Sequence, residues 1–165
     1  ILPPTDRGDR DFRVSVAMNR STFREGDEGM LYVSATKDAY VHIYSIDVDQ
    51  NAILLFPNQY AKDNLIRAER QFIFPSEDLR QRGMKLKAQL PAGTSSSAEM
   101  IRVIATKTPV PLALLDPNQE DRSHPESSAV NEAQARGTYI HLVAKLHRAN
   151  VSWVEDGQAF TIHEN

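Results

Sequence analysis

The sequence predicts a mostly β protein, an Ig-like antiparallel β-sandwich with a C-terminal helix and a closing hairpin. Three observations carry this. The runs Tyr40–Ile46 and Ala52–Asn58 flank the polar turn Asp47–Asn51, and the second run stops at Pro57, which cannot continue a central ladder. Short alternating segments recur about once per ten residues. The first half offers no helical pattern between them, as an α/β fold would require.

Residues 1–11 are polar and carry Pro and Gly, so they read as a linker, leaving 12–165 as a single sandwich domain. Phe12–Met18 alternates apolar and polar residues, as a half-buried strand does. Phe23 follows, Glu25–Gly29 turns the chain, and Met30–Ala35 is the next strand. Lys37-Asp38 leads into the hairpin. Gln59–Arg70 is polar and reads as a loop. Gln71–Phe74 is a short strand stopped by Pro75, and Ser76 is placed to cap one helical turn with Glu77 and Asp78 in it. Met84–Ala88 alternates with Lys85 and Lys87 on its wet face, and Pro91–Thr94 ends it. Met100–Thr106 is apolar enough to lie near the centre of a sheet. From Thr108 the composition changes: Pro109, Pro111, Pro117 and Pro125 punctuate a segment rich in Asn, Gln, Asp and Ser, predicting a mobile loop over 108–135. Tyr139, Leu142, Val143 and Leu146 fall at helical spacing, predicting a helix over 138–148 that Ala129–Arg136 would extend but for Gly137. Val151–Val154 and Ala159–Ile162 flank Glu155–Gln158, whose Asp-Gly pair predicts the closing hairpin.

Composition bounds the function. The 165 residues suffice for a core without metal or disulfide. With 19 basic against 22 acidic residues the net charge is -3, no surplus for phosphate neutralisation, so nucleic acid is not expected as a partner. Having no Cys, the chain has no disulfide, thiolate metal site or cysteine nucleophile. No run approaches the roughly 20 apolar residues of a membrane-spanning helix. The chain starts without Met and without the apolar centre of a signal peptide, so it reads as a trimmed or mature fragment.

The order Glu25-Gly26-Asp27, Asp38–Tyr44, Leu55-Phe56-Pro57-Asn58, Pro91-Ala92-Gly93 and Arg102–Thr106 resembles the bacterial domain-of-unknown-function 4384 family over residues 12 to about 108, and the Trp153 region resembles its tail more loosely. The most specific match is the Leu-Phe-Pro-Asn step after a Tyr-rich strand. One departure is the turn Asp47–Asn51, where the family usually has Gly; Asn51 is expected to take the left-handed conformation in its place. The resemblance implies an envelope-associated β-domain, often found in larger bacterial proteins beside caspase-like or kinase-like modules. It supplies no reaction.

No residue pattern supplies one either. Asp47, Asp49 and Asn51 have the one-three-five spacing of a calcium loop, yet Ala52 and Asn58 stand where an EF-hand needs Gly and Glu, so turn chemistry is the better reading. The five histidines form no His-Glu-x-x-His pair, and His42, between Tyr40 and Tyr44, reads as a surface or rim residue. A nucleophile elbow, Walker loop and dinucleotide fingerprint are all missing. Arg7-Gly8-Asp9 matches an adhesion tripeptide by chance recurrence; Asn19-Arg20-Ser21 and Asn150-Val151-Ser152 fit a glycosylation pattern that a bacterial source would leave unused. Tyr32, Tyr40, Tyr44 and Phe56 read as packing between sheets rather than as a binding platform.

No catalytic residue, cofactor or metal is therefore expected. The chain reads as a non-catalytic binding or scaffolding module of a bacterial envelope or secreted protein, periplasmic or extracellular, with a protein or glycan partner. Asn58, Gln59 and Tyr60 are its candidate binding residues, since recognition residues concentrate in loops on rigid scaffolds. Loops 57–64 and 108–135, or strand addition at an edge, are where the partner would be held. The alternative is a regulatory accessory domain of a neighbouring catalytic module such as a caspase-like protease.

Overall fold

The computed structural model describes residues 10–117 and 138–165. The Arg7-Gly8-Asp9 tripeptide, most of the 1–11 linker, residues 118–135 of the expected loop and the helical extension at 129–136 lie outside the described residues.

One sheet of the sandwich holds β1 (Val14–Met18), β4 (Leu31–Ala35) and β8 (Phe72–Phe74), in the order β1-β4-β8. The other has six strands: β2 (Thr22–Arg24), β11 (Val154–His163), β10 (Ser96–Thr106), β5 (Ala39–Ile46) and β6 (Ala52–Phe56) in that order, with β7 (Leu65–Ile66) also pairing with β5. Their pairings are antiparallel except β2 with β11, which is parallel. A two-residue pair, β3 (Glu28–Gly29) with β9 (Leu86–Lys87), stands apart from both.

The strand period of two sorts residues between faces. Val14, Val16, Leu31, Val33, Val41, Ile43, Phe56, Phe74, Ile101, Val103 and Ala105 fill the space between the sheets. Phe56, expected to plug a strand end, is 2% exposed and meets Phe72 and Phe74 at ring separations of 5.1 and 5.2 Å. On the opposite side of the sandwich the Val16 amide donates to the Asp156 carboxylate at 2.9 Å, a link from β1 to β11 across the two sheets.

A third layer covers the far face of the six-stranded sheet. The expected helix forms as α3 (Tyr139–Arg148), capped by Thr138, whose hydroxyl accepts from the His141 amide at 3.2 Å. (The shorter α1, Glu77–Gln81, is capped by Ser76 as its sequence requires, and α2 is Leu112–Leu115.) Tyr139, Leu142, Val143 and Leu146 pack with Leu115 and Trp153 against Tyr44, Ile46 and Ile104. The central strands β5 and β10 are thus buried on both faces, which explains the near-continuous apolar run at Met100–Ala105.

Three expectations change. The closing hairpin is instead one ten-residue strand, β11, pairing with β10 from Ser96↔His163 to Ala105↔Val154. Gly157 lies in mid-strand opposite Arg102, and a Cβ there would come within 3.3 Å of Met100 Sδ and 3.4 Å of Arg102 Cδ and Cζ, so the glycine leaves room for the arginine. In the Asp47–Asn51 turn it is Gln50, not Asn51, that takes the left-handed conformation, with φ 67°. The Gln50 amide donates to the Asp47 carbonyl at 3.0 Å and the Asp47 amide to the Asn51 carbonyl at 3.1 Å, a four-residue turn whose last residue is left-handed, and Asn51 instead bridges Thr138. His42 is the third: it is 2% exposed, because α2 and α3 cover the face on which it lies.

Candidate functional site

The two loops singled out in the sequence meet. Chain reversal after Phe56 begins with a cis Phe56–Pro57 peptide. Asn58 and Ala61 then exchange backbone hydrogen bonds at 3.0 and 3.2 Å. Asn64 fastens the returning chain to β5: its carbonyl accepts from the Val41 amide at 2.9 Å and its Nδ2 donates to the Val41 carbonyl at 3.0 Å. Opposite stands α2, held by two buried side chains. Tyr44 Oη donates to the Leu115 carbonyl at 2.6 Å, and Lys145 Nζ donates to the Ala113 and Asp116 carbonyls at 2.9 and 3.2 Å. An ammonium at the last carbonyls of a helix also opposes their partial negative charge.

Between these walls lies an open cleft of about 830 Å³, within the size range of ligand sites. Its apolar lining is Ile53, Leu54, Pro57, Val110, Leu112 and Leu115, and its polar lining includes Gln59, Lys62 and Asp116. Ile53 and Leu112 are 60% and 47% exposed, unusual for large apolar side chains beside a concavity.

Most of the polar groups here are consumed internally. Asn58 Nδ2 donates to the Leu55 carbonyl at 2.9 Å, and its Oδ1 accepts from the Tyr60 and Ala61 amides at 2.9 and 3.0 Å, so this residue builds the turn. Gln59 lines the cleft; Tyr60 is 62% exposed and is not among its lining residues. His42 borders the cleft with both ring nitrogens engaged. Nδ1 lies 3.3 Å from the Ile104 carbonyl, which can only accept, and Nε2 lies 3.0 Å from Asn64 Nδ2, which donates to it. The ring is therefore a neutral Nδ1–H tautomer. Desolvation lowers its pKa to about 4, against a smaller opposing effect of the Ile104 carbonyl.

A second polar cluster joins α3 to the sheet, and the sequence reading missed it. Glu155 Oε1 lies 3.5 Å from Arg102 Nη1, with the two side chains 7% and 15% exposed. Glu155 Oε2 accepts from Tyr139 Oη and, at 3.4 Å, from Trp153 Nε1. The Arg102 guanidinium lies 5.5 Å from the centre of the Tyr139 ring. Desolvation, then the bond to Glu155, raises the Tyr139 phenol above its usual pKa, so the hydroxyl remains a donor. One charged residue inside the apolar run Met100–Ala105 was the available signal, since a buried arginine needs a partner.

Asp47 Oδ1 accepts from the Asp49 and Asn51 amides, each at 2.9 Å, and Oδ2 from Asn51 Nδ2 at 3.1 Å, which is turn chemistry rather than a cation loop. Among the described residues no group of three or more His, Cys, Asp or Glu is arranged to hold a metal ion, and no helix is long and apolar enough to cross a membrane.

Residues 22–109, more than half of the chain, match the family model described as a domain of unknown function (DUF4384), and the chain belongs to that family. No curated protein matches the chain, and no solved structure does.

Proposed function

We propose that this member of the family is a non-catalytic binding module that holds a protein segment in the cleft between the 57–64 loop and α2, within a bacterial envelope or secreted protein. The observation that carries the reading is the division of labour in the cleft. His42, Asn58 and Asn64 spend their polar atoms on the fold. Ile53 and Leu112 offer apolar surface to solvent, with Gln59 and Lys62 beside them. Such a surface receives an apolar anchor side chain and a few hydrogen bonds, the pattern of a protein interface core with its rim. The envelope or secreted setting rests on the family resemblance.

Selection of peptides from a displayed random library tests this. Selected peptides carry an apolar anchor, and their binding weakens at least tenfold in Ile53→Asp and Leu112→Asp, both exposed positions that keep the fold. Selection of sugars instead of peptides on a glycan array, or peptide binding indifferent to both substitutions, would overturn the reading. Fractionation of cells producing the complete gene product places it in the envelope or medium; recovery in the cytosol would overturn the setting.

A further inference from the structure

We infer that the open end of the sandwich is a second binding site, for a free single-chain amphiphile: an alkyl chain of about eight carbons with one negative head group. It is independent of the cleft.

The site exists because the sandwich is not closed there by full strands. The two-residue pair β3–β9 stands in as a wall, braced by the Glu28–Lys85 ion pair at 3.4 Å. Behind it is a cavity of about 360 Å³. Its floor includes Leu31 and Ile101, which are 0% and 3% exposed and belong to the core between the sheets. Half-buried Leu55, Leu86 and Phe160 complete the apolar walls, so the cavity abuts the hydrophobic core. An apolar cavity of roughly 150 Å³ takes up benzene, so more than twice that volume admits a chain of about eight carbons. The volume also falls within the ordinary range of small-molecule sites.

The rim selects the head group. Lys85, Lys87 and Glu99 line it. Lys85 is already paired with Glu28, and Glu99 Oε2 accepts from Ser97 Oγ at 2.9 Å. Lys87 is exposed and has no ion-pair partner among the described residues. A carboxylate held at the mouth by Lys87, with its chain laid against Leu55, Leu86 and Phe160, satisfies both halves of the site.

The test titrates the whole chain with hexanoate, heptanoate and octanoate, below their micelle concentrations, by amide NMR and calorimetry. Saturable shifts are expected at Leu86, Lys87 and Ile101, with affinity rising about fourfold per added methylene. Leu86→Trp fills the cavity from its half-buried place on the two-residue strand and abolishes binding while circular dichroism is unchanged. Lys87→Glu weakens octanoate about two- to fivefold and leaves octan-1-ol unaffected. Failure to saturate, indifference to Leu86→Trp, or shifts confined to Ile53 and Leu112 would overturn the site; an octyltrimethylammonium probe binding as tightly as octanoate would overturn its head-group preference. Phosphatidylglycerol vesicles are expected not to co-sediment the protein, and co-sedimentation lost in Leu86→Trp would replace the free amphiphile with a lipid surface.

Discussion

Acid should destabilise this domain through His42 in a defined window. The folded imidazole titrates at about 4 because it is buried between β5 and the helical layer, whereas an unfolded histidine titrates near 6.5. Above pH 6.5 both forms are neutral and the difference contributes its full stability. As pH falls from 6.5 toward 4, the unfolded chain takes up a proton that the folded chain refuses, so stability drops by about 1.4 kcal/mol per pH unit inside the window. Integrated from pH 7 to pH 5, the loss is about 2 kcal/mol. In His42→Gln this part is missing, though the variant starts lower at neutral pH because the bonds to Ile104 and Asn64 are disturbed. Urea unfolding of both proteins at pH 7, 6 and 5 reads it directly, since carboxylate titration is common to the two. The wild-type advantage should shrink by about 2 kcal/mol over that range. Parallel stability curves would show that the ring is solvated or charged, and the buried neutral tautomer would be wrong.

Three further outcomes follow from contacts already described. Lys145→Met should cost about 3 kcal/mol in urea unfolding, because it strips a charged donor from the Ala113 and Asp116 carbonyls in a fully buried site. Gly157→Val should cost about 2 kcal/mol, as its side chain displaces Arg102 from Glu155 and Tyr139; a wild-type melting temperature would refute the packed mid-strand position. Asp156→Ala should lower stability by about 1–2 kcal/mol and speed hydrogen exchange at the Val16 amide more than at Val33, a selectivity that a general loosening of the sandwich would not produce.

What could be read from the chain was local. The hairpin of β5 and β6 was legible because its partners are adjacent and Asp47 supplies the turn chemistry within five residues. The Tyr139–Leu146 stripe needed only its own spacing. Contacts between distant segments were not legible. Asp156-Gly157 is a strong turn signal by composition, yet ten register pairs with β10 override it, and the glycine serves Arg102 instead. His42 reads as a rim residue because nothing near it announces a helix that arrives about a hundred residues later. β7 hides in a polar segment because two residues show no period. The candidate site was half visible. The 57–64 loop could be named from Pro57 and Asn58, but that Asn58 is spent on its own turn, and that α2 forms the facing wall, depends on three-dimensional closure.

The parallel pairing of β2 with β11 bears on where this protein can be cut. Trimming it to the family match at residue 109 would discard β11, which sits between β2 and β10. Ten residues of β10 would then present a bare ladder edge, and Thr22–Arg24 would lose its neighbour. Exposed edges of that length recruit other chains. An expression fragment ending there is expected to precipitate, so the physical unit of inheritance is longer than the stretch by which its kinship is recognised.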